Sequence, residues 1–451
     1  MIESVDVVVI GMGPGGESVA SSLASAGLSV VGIEANLVGG ECPYYACIPS
    51  KMMIRAAGSL AEARRVPELA GSATVSPDFA PVAGRIRTEA TDNWNDQVAV
   101  DRFEQAGGQF VRGRGRITGP GTVRVGDDEF TAQRAIVINT GTEPLVPQIP
   151  GLADTPFWTN REAVAAETAP ESLIVLGGGA VGTELAQAFA RFGTRVDIVE
   201  TADRLLPREE PDSGRLLAEV FGREGIGVHT GVTADEVRHD RAGFTVRVGD
   251  GWLSAERLLV ATGRRVDLAG LGLGSIGLNT DRTFVDTDPQ LRVADDIYAL
   301  GDITGKGAFT HVSMYQARIV TRHILGERQV AAKYHAVPRV TFTDPEIGSV
   351  GLTEAQAREH GIAVATADSE VSGSTRGWIH KTGSDGFIKL VADTDRGVLV
   401  GATSAGPHGG EVLSVLTLAV HDRTPISRLK EMIYAYPTFH RAIEDALSRL
   451  P

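Results

Sequence analysis

Residues 5–34 read VDVVVIGMGPGGESVASSLASAGLSVVGIE, and this stretch decides the fold. Val5 to Ile10 is a short apolar run of strand type, broken by Gly11-Met12-Gly13-Pro14-Gly15-Gly16. Val19, Leu23 and Ala26 then recur at helical spacing, and Gly27 stops the helix. Leu28 to Ile33 is a second strand that runs into Glu34. Strand, glycine turn and helix N-terminus together form an anion cradle. Gly11 permits the tight turn, Gly13 lets a pyrophosphate approach the backbone, and Gly16 lets helix lie close on strand. Glu34 stands 18 residues beyond Gly16, placed to accept hydrogen bonds from a ribose diol.

One such turn is weak evidence in a chain with 54 glycines among 451 residues. The unit recurs, however, at residues 173–200, LIVLGGGAVGTELAQAFARFGTRVDIVE. Gly177, Gly179 and Gly182 repeat the turn, Gly193 follows the helix, and Glu200 again lies 18 residues past the last motif glycine. Two copies with the same offset predict two dinucleotide sites. A carboxylate at Glu200 accepts from a free 2′-hydroxyl and repels a 2′-phosphate, so NADH is preferred. Arg204 and Arg208 follow in the loop and keep NADPH open as the second option.

Between the two units, Gly107–Phe110 and Gly119–Val125 read as short strands with turn punctuation. Ala135–Asn139 is a strand ending in a glycine turn at Gly141, and Leu258–Val260 repeats that ending at Gly263. Beyond about residue 335 the glycine turns stop. Short strands there mix with helical patterns over 411–421 and 439–450. The expected fold is α/β, with two Rossmann-like dinucleotide-binding domains followed by a C-terminal domain of α+β type.

Composition sets the outer limits. Hydrophobic residues make up 42% and charged residues 22%, enough for a substantial core and unlike a disordered chain. A net charge of -14 repels phosphate backbones and anionic lipids, so neither nucleic acid nor membrane is expected as a partner. The first residues carry acids and no base, unlike a signal peptide, and no apolar run approaches the roughly 20 residues of a membrane span. A cytoplasmic location is expected.

Cys42 and Cys47 are the only cysteines. A bridge closing four residues constrains almost nothing in the unfolded chain, so stability is a poor reason for one. In a reducing compartment such a pair is suited to cycle between dithiol and disulfide; two unrelated buried thiols are the alternative.

The segment Gly39-Gly40-Glu41-Cys42-Pro43-Tyr44-Tyr45-Ala46-Cys47-Ile48-Pro49-Ser50-Lys51 resembles the redox-active segment of the FAD-dependent pyridine nucleotide–disulfide oxidoreductases. That group includes dihydrolipoamide dehydrogenase, glutathione reductase and mercuric reductase. Ile297–Asp302 looks like the family's second FAD motif, and Thr341–Thr353 like the start of its dimerisation domain. The resemblance implies an FAD-binding domain from 1–145 and 265–330, an NAD(P)-binding domain at 146–264 and a dimerisation domain at 331–451. It implies that Gly11, Gly13, Gly16, Glu34, Gly301 and Asp302 serve FAD, and the glycine turns at Gly141 and Gly263 are taken as further cofactor-binding positions. Gly177, Gly179, Gly182 and Glu200 would serve the nicotinamide dinucleotide. Cys47 would be the thiol beside the flavin and Cys42 the interchange thiol, with Lys51 and Glu184 near the flavin and nicotinamide rings. A homodimer is implied, and no metal site is expected.

The sequence also leaves that pattern. Disulfide-reducing members carry a His-Pro-Thr segment with a glutamate five positions after the histidine. Here Tyr436 stands at the histidine position and Arg441 at the glutamate position. A phenol with a reference pKa of about 10 is a poor base at neutral pH, where imidazole at about 6.5 is well matched. His440 and Glu444 form either a substitute acid–base pair or, the favoured reading, an ordinary i,i+4 pair. Glu41 replaces a usual threonine, and Tyr44 and Tyr45 either pack inside or wall a substrate channel. Mercuric reductases use a further C-terminal cysteine pair, and no cysteine follows Cys47. The expected activity is electron transfer from NADH through FAD and Cys42–Cys47 to a small-molecule acceptor: a disulfide, a quinone or a metal ion. Dihydrolipoamide dehydrogenase proper is one alternative, and a flavin-binding redox sensor without turnover is another.

Overall fold

The computed structural model describes residues 2–328 and 330–451. The chain forms two compact units, and each is built around its own copy of the glycine-turn motif.

The first unit comprises Met1–Pro49, Gly84–Leu145 and Arg264–Tyr334. Its sheet runs in the order Arg292–Ala294, Ile297–Ala299, Asp128–Ile138, Ile2–Ile10, Val30–Glu34, Gln109–Arg112. From Ile297–Ala299 to Gln109–Arg112 all neighbours are parallel. A parallel sheet is covered on both faces, which explains the unbroken Val7–Ile10 run. Val7 and Val9 pack on one face with Val19, Leu23 and Phe103, whereas Val8 and Ile10 pack on the other with Ile33, Ile117 and Phe130. The second strand begins at Val30, two residues later than the apolar pattern indicates. Leu28 N–H closes the preceding helix onto the Leu23 carbonyl, and Ser29 exchanges hydrogen bonds with Asp6. Arg116–Gly119 and Thr122–Val125 form a hairpin around the Pro120-Gly121 turn.

The second unit comprises Ser50–Ala83, Val146–Gly263 and His335–Pro451. Its parallel sheet has the order Gly227–Thr230, Arg195–Glu200, Ser172–Leu176, Arg257–Val260. An antiparallel meander, Ala234–Asp240 to Gly251–Ala255, continues it in sequence. The C-terminal part is a five-stranded antiparallel sheet covered by the helices Gly409–Asp422 and Ala442–Ser448. Leu390, Leu413, Leu416, Phe439, Ile443 and Leu447 fill the space between sheet and helices. The expected helix over 439–450 is broken: Phe439–Arg441 forms a 3-10 turn, with Arg441 N–H on the Thr438 carbonyl, and the α-helix starts at Ala442. No helix among the described residues is long and apolar enough to cross a membrane.

Candidate active site

The two glycine turns have the same construction. Gly11 has φ +93°, and a Cβ there would lie 2.4 Å from the Asn139 carbonyl oxygen. A Cβ on Gly16 would lie 2.0 Å from the Gly11 oxygen. In the second unit, Gly177 has φ +109° and would meet the Ala261 oxygen at 2.4 Å, while Gly182 would meet the Gly177 oxygen at 1.9 Å. Gly179 faces open space. The helices that follow, Pro14–Ser25 and Ala180–Arg191, carry no side-chain hydrogen bond from the N-cap residue itself, and their N-terminal ends favour an anion. These cradles fit the pyrophosphates of FAD and a nicotinamide dinucleotide.

Both strand-end acids are buried and do two jobs. Glu34 accepts from Met12 N–H (2.8 Å) and Asn36 N–H (2.7 Å); Glu200 accepts from Gly178 N–H (2.6 Å) and Ala202 N–H (2.7 Å). Each carboxylate thus ties its strand to the glycine turn. With about four acceptor positions per carboxylate, capacity remains for a ribose diol. Burial pushes the Glu34 carboxyl up, opposed by those backbone donors. Arg204 pairs with Asp203 (3.0 Å) and donates to the Pro207 carbonyl (3.0 Å).

The second motif of the first unit is equally tied down. Gly301 has φ +79°, and its N–H donates to Gln316 Oε1 at 2.6 Å. Asp302 opens a 3-10 turn and accepts from Thr142 Oγ1 at 3.0 Å, next to Gly141. Arg264 donates to the same hydroxyl (2.5 Å) and to the Thr142 carbonyl (2.6 Å), directly after Gly263. Burial raises the Asp302 carboxyl, and Thr142 and Arg264 oppose that shift. Asn139, oriented to satisfy both ends of its amide, accepts from Gly16 N–H (2.9 Å) and donates to the Leu300 carbonyl (3.2 Å). Asn139, Thr142 and Gln316 belong to this site although no sequence motif marks them as a set. Asn139 alone had a signal in the sequence, as the polar end of the strand that closes on Gly141.

Cys42 lies in the short helix Glu41–Tyr44, and Cys47 opens the helix Cys47–Leu69; both are half-buried. Cys47 Sγ is 3.5 Å from Thr310 Oγ1. The first turn of a 23-residue helix favours negative charge at Cys47. Tyr44 is buried, whereas Tyr45 faces Trp94, with ring centroids 6.5 Å apart.

Lys51 and Glu184, 133 residues apart, are brought to 2.7 Å. The other Glu184 oxygen accepts from Phe342 N–H at 2.8 Å, and the Phe342 ring lies 4.7 Å from the Lys51 ammonium. The same face of helix Ala180–Arg191 continues this grip. Gln187 exchanges hydrogen bonds with the Asp344 backbone, and Arg191 meets the Asp344 carboxylate at 2.8 Å. Arg65 joins at 2.7 Å. Burial would raise the Asp344 carboxyl, but Arg191 and Arg65 hold it below the usual carboxylate range. The polar 184-187-191 spacing on a buried helix was the available sequence signal for this network.

In the C-terminal segment Tyr436 is 65% exposed, with its hydroxyl 3.5 Å from Thr375 Oγ1. The Arg441 guanidinium sits 5.5 Å from the Tyr436 ring and pairs with Glu444 at 2.8 Å. His440 lies against the Tyr434 ring, 6.0 Å between centroids. Among the described residues, no group of three or more His, Cys, Asp or Glu is arranged to hold a metal ion.

Comparison with known proteins places these features in a family. Residues 5–317 match the pyridine nucleotide-disulphide oxidoreductases, and residues 337–447 match the dimerisation domain of the same group. A dihydrolipoyl dehydrogenase of Chlorobaculum tepidum is 34% identical, the alignment covering 98% of this chain and 96% of the relative. A mercuric reductase of Streptomyces lividans is 33% identical, covering 98% and 95%. The Cu(II) complex of the HOCl-induced flavoprotein disulfide reductase RclA from Escherichia coli superposes with a TM-score of 0.87 at 27% identity, over 99% of both chains.

Proposed function

Since the chain belongs to the pyridine nucleotide–disulphide oxidoreductases, enzymes that use FAD and pyridine nucleotides, we propose that it oxidises NADH and delivers two electrons to a small acceptor other than lipoamide. In this reading, residues 1–145 and 265–330 hold FAD, 146–264 hold NADH, and 331–451 pair two copies into a cytoplasmic homodimer. FAD supplies two-electron exchange between a nicotinamide and a dithiol. The observation that carries the proposal is the redox segment itself: two cysteines five positions apart, the second opening a helix that bears Lys51 one turn later.

The residues divide the work by chemistry. Glycine-turn donors bind the pyrophosphates, and Glu34 and Glu200 hold the ribose diols. Glu184 fixes the Lys51 ammonium as a positive charge for the reacting groups. Glu200 disfavours a 2′-phosphate, and Arg204 is already engaged by Asp203 and Pro207, which supports NADH over NADPH. Tyr436 donates a hydrogen bond to an acceptor, and a phenol is in general a poor base at neutral pH. That favours a quinone, which can be served without an imidazole at Cys42. A metal ion is the second reading, favoured by the Cu(II) complex of RclA and by the mercuric reductases among the relatives.

The test is an anaerobic titration of the purified holoenzyme with NADH and, separately, NADPH. Flavin absorbance should bleach faster with NADH, and alkylation should find no reactive thiols before reduction and two afterwards, at Cys42 and Cys47. Steady-state assays should then show quinone turnover and poor dihydrolipoamide oxidation, below an ordinary dehydrogenase by roughly 10²–10⁴-fold. Faster reduction by NADPH, or lipoamide turnover at the ordinary level, would overturn the reading.

A further inference from the structure

The two cysteines belong to different helices, and only Tyr45 and Ala46 separate those helices. Whether the sulfurs can meet depends on that two-residue hinge. The segment Thr91–Asp96, in the same unit, grips it. Trp94 Nε1 donates to the Tyr44 carbonyl at 3.2 Å, supplying a partner to the C-terminal end of the short helix. The Trp94 and Tyr45 rings face each other with an interplanar angle of 23°. Asp96 is buried, accepts from Val38 N–H at 2.6 Å on the approach to Cys42, and is itself held by Arg112 at 2.6 Å.

The backbone that delivers Trp94 is strained. Asp92, Asn93 and Trp94 have φ of +46°, +56° and +57°, three successive left-handed residues without a glycine. Asp and Asn tolerate that region, but a bulky aromatic residue does not adopt it without cause. A five-residue π-helical turn, Ile86–Ala90, precedes it. Asn93 N–H on the Arg87 carbonyl (2.7 Å) and Trp94 N–H on Thr91 Oγ1 (3.3 Å) hold the loop in place. Strain and π-turns of this kind concentrate where a side chain must be aimed. Trp94 is half-buried, and its ring contact is with Tyr45.

We propose that Trp94 is a positioning residue for the Cys42–Cys47 pair: through the Tyr44 carbonyl and the Tyr45 ring it fixes the hinge so that the two sulfurs are held for disulfide closure. This rests on the reading of the two cysteines as a redox pair. Loosening the hinge lowers the effective concentration of one thiol at the other, so the disulfide forms less favourably.

The experiment equilibrates the holoenzyme with glutathione buffers and counts protein thiols by alkylation and mass. Two glutathione molecules reduce the Cys42–Cys47 bond, giving two protein thiols and one glutathione disulfide. Trp94→Leu should lower the equilibrium constant for disulfide formation about tenfold, equivalent to a midpoint about 30 mV more positive. Trp94→Phe keeps a ring against Tyr45 but loses the indole donor, and should shift it by about threefold. Phe103→Leu, a fully buried control in the same unit, should lower thermal stability without moving the equilibrium. Should Trp94→Leu fail to fold, Trp94→Phe carries the test. Trp94 variants indistinguishable from wild type, or a Phe103→Leu shift of equal size, would overturn the proposal. A wild-type chain that loses no thiols on oxidation would instead remove the redox-pair reading, and this inference with it.

Discussion

Replacing Asp344 by Asn tests whether the network around helix Ala180–Arg191 holds its part of the protein together. The Asp344 carboxylate accepts from Arg191 at 2.8 Å and Arg65 at 2.7 Å. Arg191 is 6% exposed and Asp344 28%. Breaking a fully buried ion pair from one side costs about 3–5 kcal/mol. Two features reduce that here: Asp344 is partly solvated, and Arg191 retains Glu224 at 2.6 and 3.0 Å. The expected loss is therefore about 2–3 kcal/mol, a fall in unfolding midpoint of roughly 5–10 °C for a unit of this size. The pH dependence has a definite sign. The Asp344 carboxyl is held below its ordinary value in the folded state, so its contribution is present above the unfolded value of about 4 and is lost as pH falls through the lower folded value. Wild type and Asp344→Asn should differ at pH 7 and converge in acid, followed by circular dichroism on the FAD-loaded proteins. Midpoints within about 1 °C of each other at pH 7, or a gap that persists undiminished to pH 3, would show that the Asp344 carboxylate does not hold this network together.

Three further outcomes are expected. Gly16→Ala drives a methyl to 2.0 Å from the Gly11 oxygen, so the purified variant should lose most of its flavin absorbance relative to protein while the second turn still binds NADH, measured by calorimetry. Glu200→Gln removes the charge that repels a 2′-phosphate and should narrow the NADH preference about tenfold, the value of roughly 1.4 kcal/mol; stopped-flow reduction by the two nucleotides measures it. Tyr436→His combined with Arg441→Glu should raise lipoamide turnover above wild type in steady-state assays, because an imidazole oriented by a carboxylate restores a base matched to neutral pH.

The parts of the fold that were readable in the sequence are those fixed by local constraints. The glycines at 11, 16, 177 and 182 are demanded by backbone oxygens about 2 Å from where a Cβ would stand, so residue type alone reports the geometry. The same holds for the buried parallel strands, whose unbroken apolar runs leave little choice. Element ends were less readable where side chains intervene, as Ser29 and Asp6 do at the second strand. Least readable were the long-range polar contacts. Nothing near Asp344 in the sequence announces Arg65, Gln187 or Arg191, each more than 150 positions away, and Gln316 meets Gly301 only because two separate segments fold onto one strand end. Trp94 belongs to the same class: its partner is a main-chain carbonyl, which leaves no trace in residue type.

The C-terminal departure is where residue identity carries most of the functional argument. A histidine–glutamate dyad works because the carboxylate orients the imidazole and stabilises its protonated form. In the proposed function, Tyr436 and Arg441 stand in that dyad's place with a different relation between them. The guanidinium stands 5.5 Å from the ring, and Glu444 at 2.8 Å balances its charge. A phenol is a ready hydrogen-bond donor and a poor base at neutral pH. At 3.5 Å the contact of Tyr436 with Thr375 is at the far limit of an O–H···O hydrogen bond, so little is lost when the phenol turns to another acceptor. In the proposed function, Tyr436 donates a hydrogen bond to oxygen where a histidine would take a proton off a thiol. An acceptor whose reduction places negative charge on oxygen gains from that change, whereas a dithiol awaiting deprotonation does not.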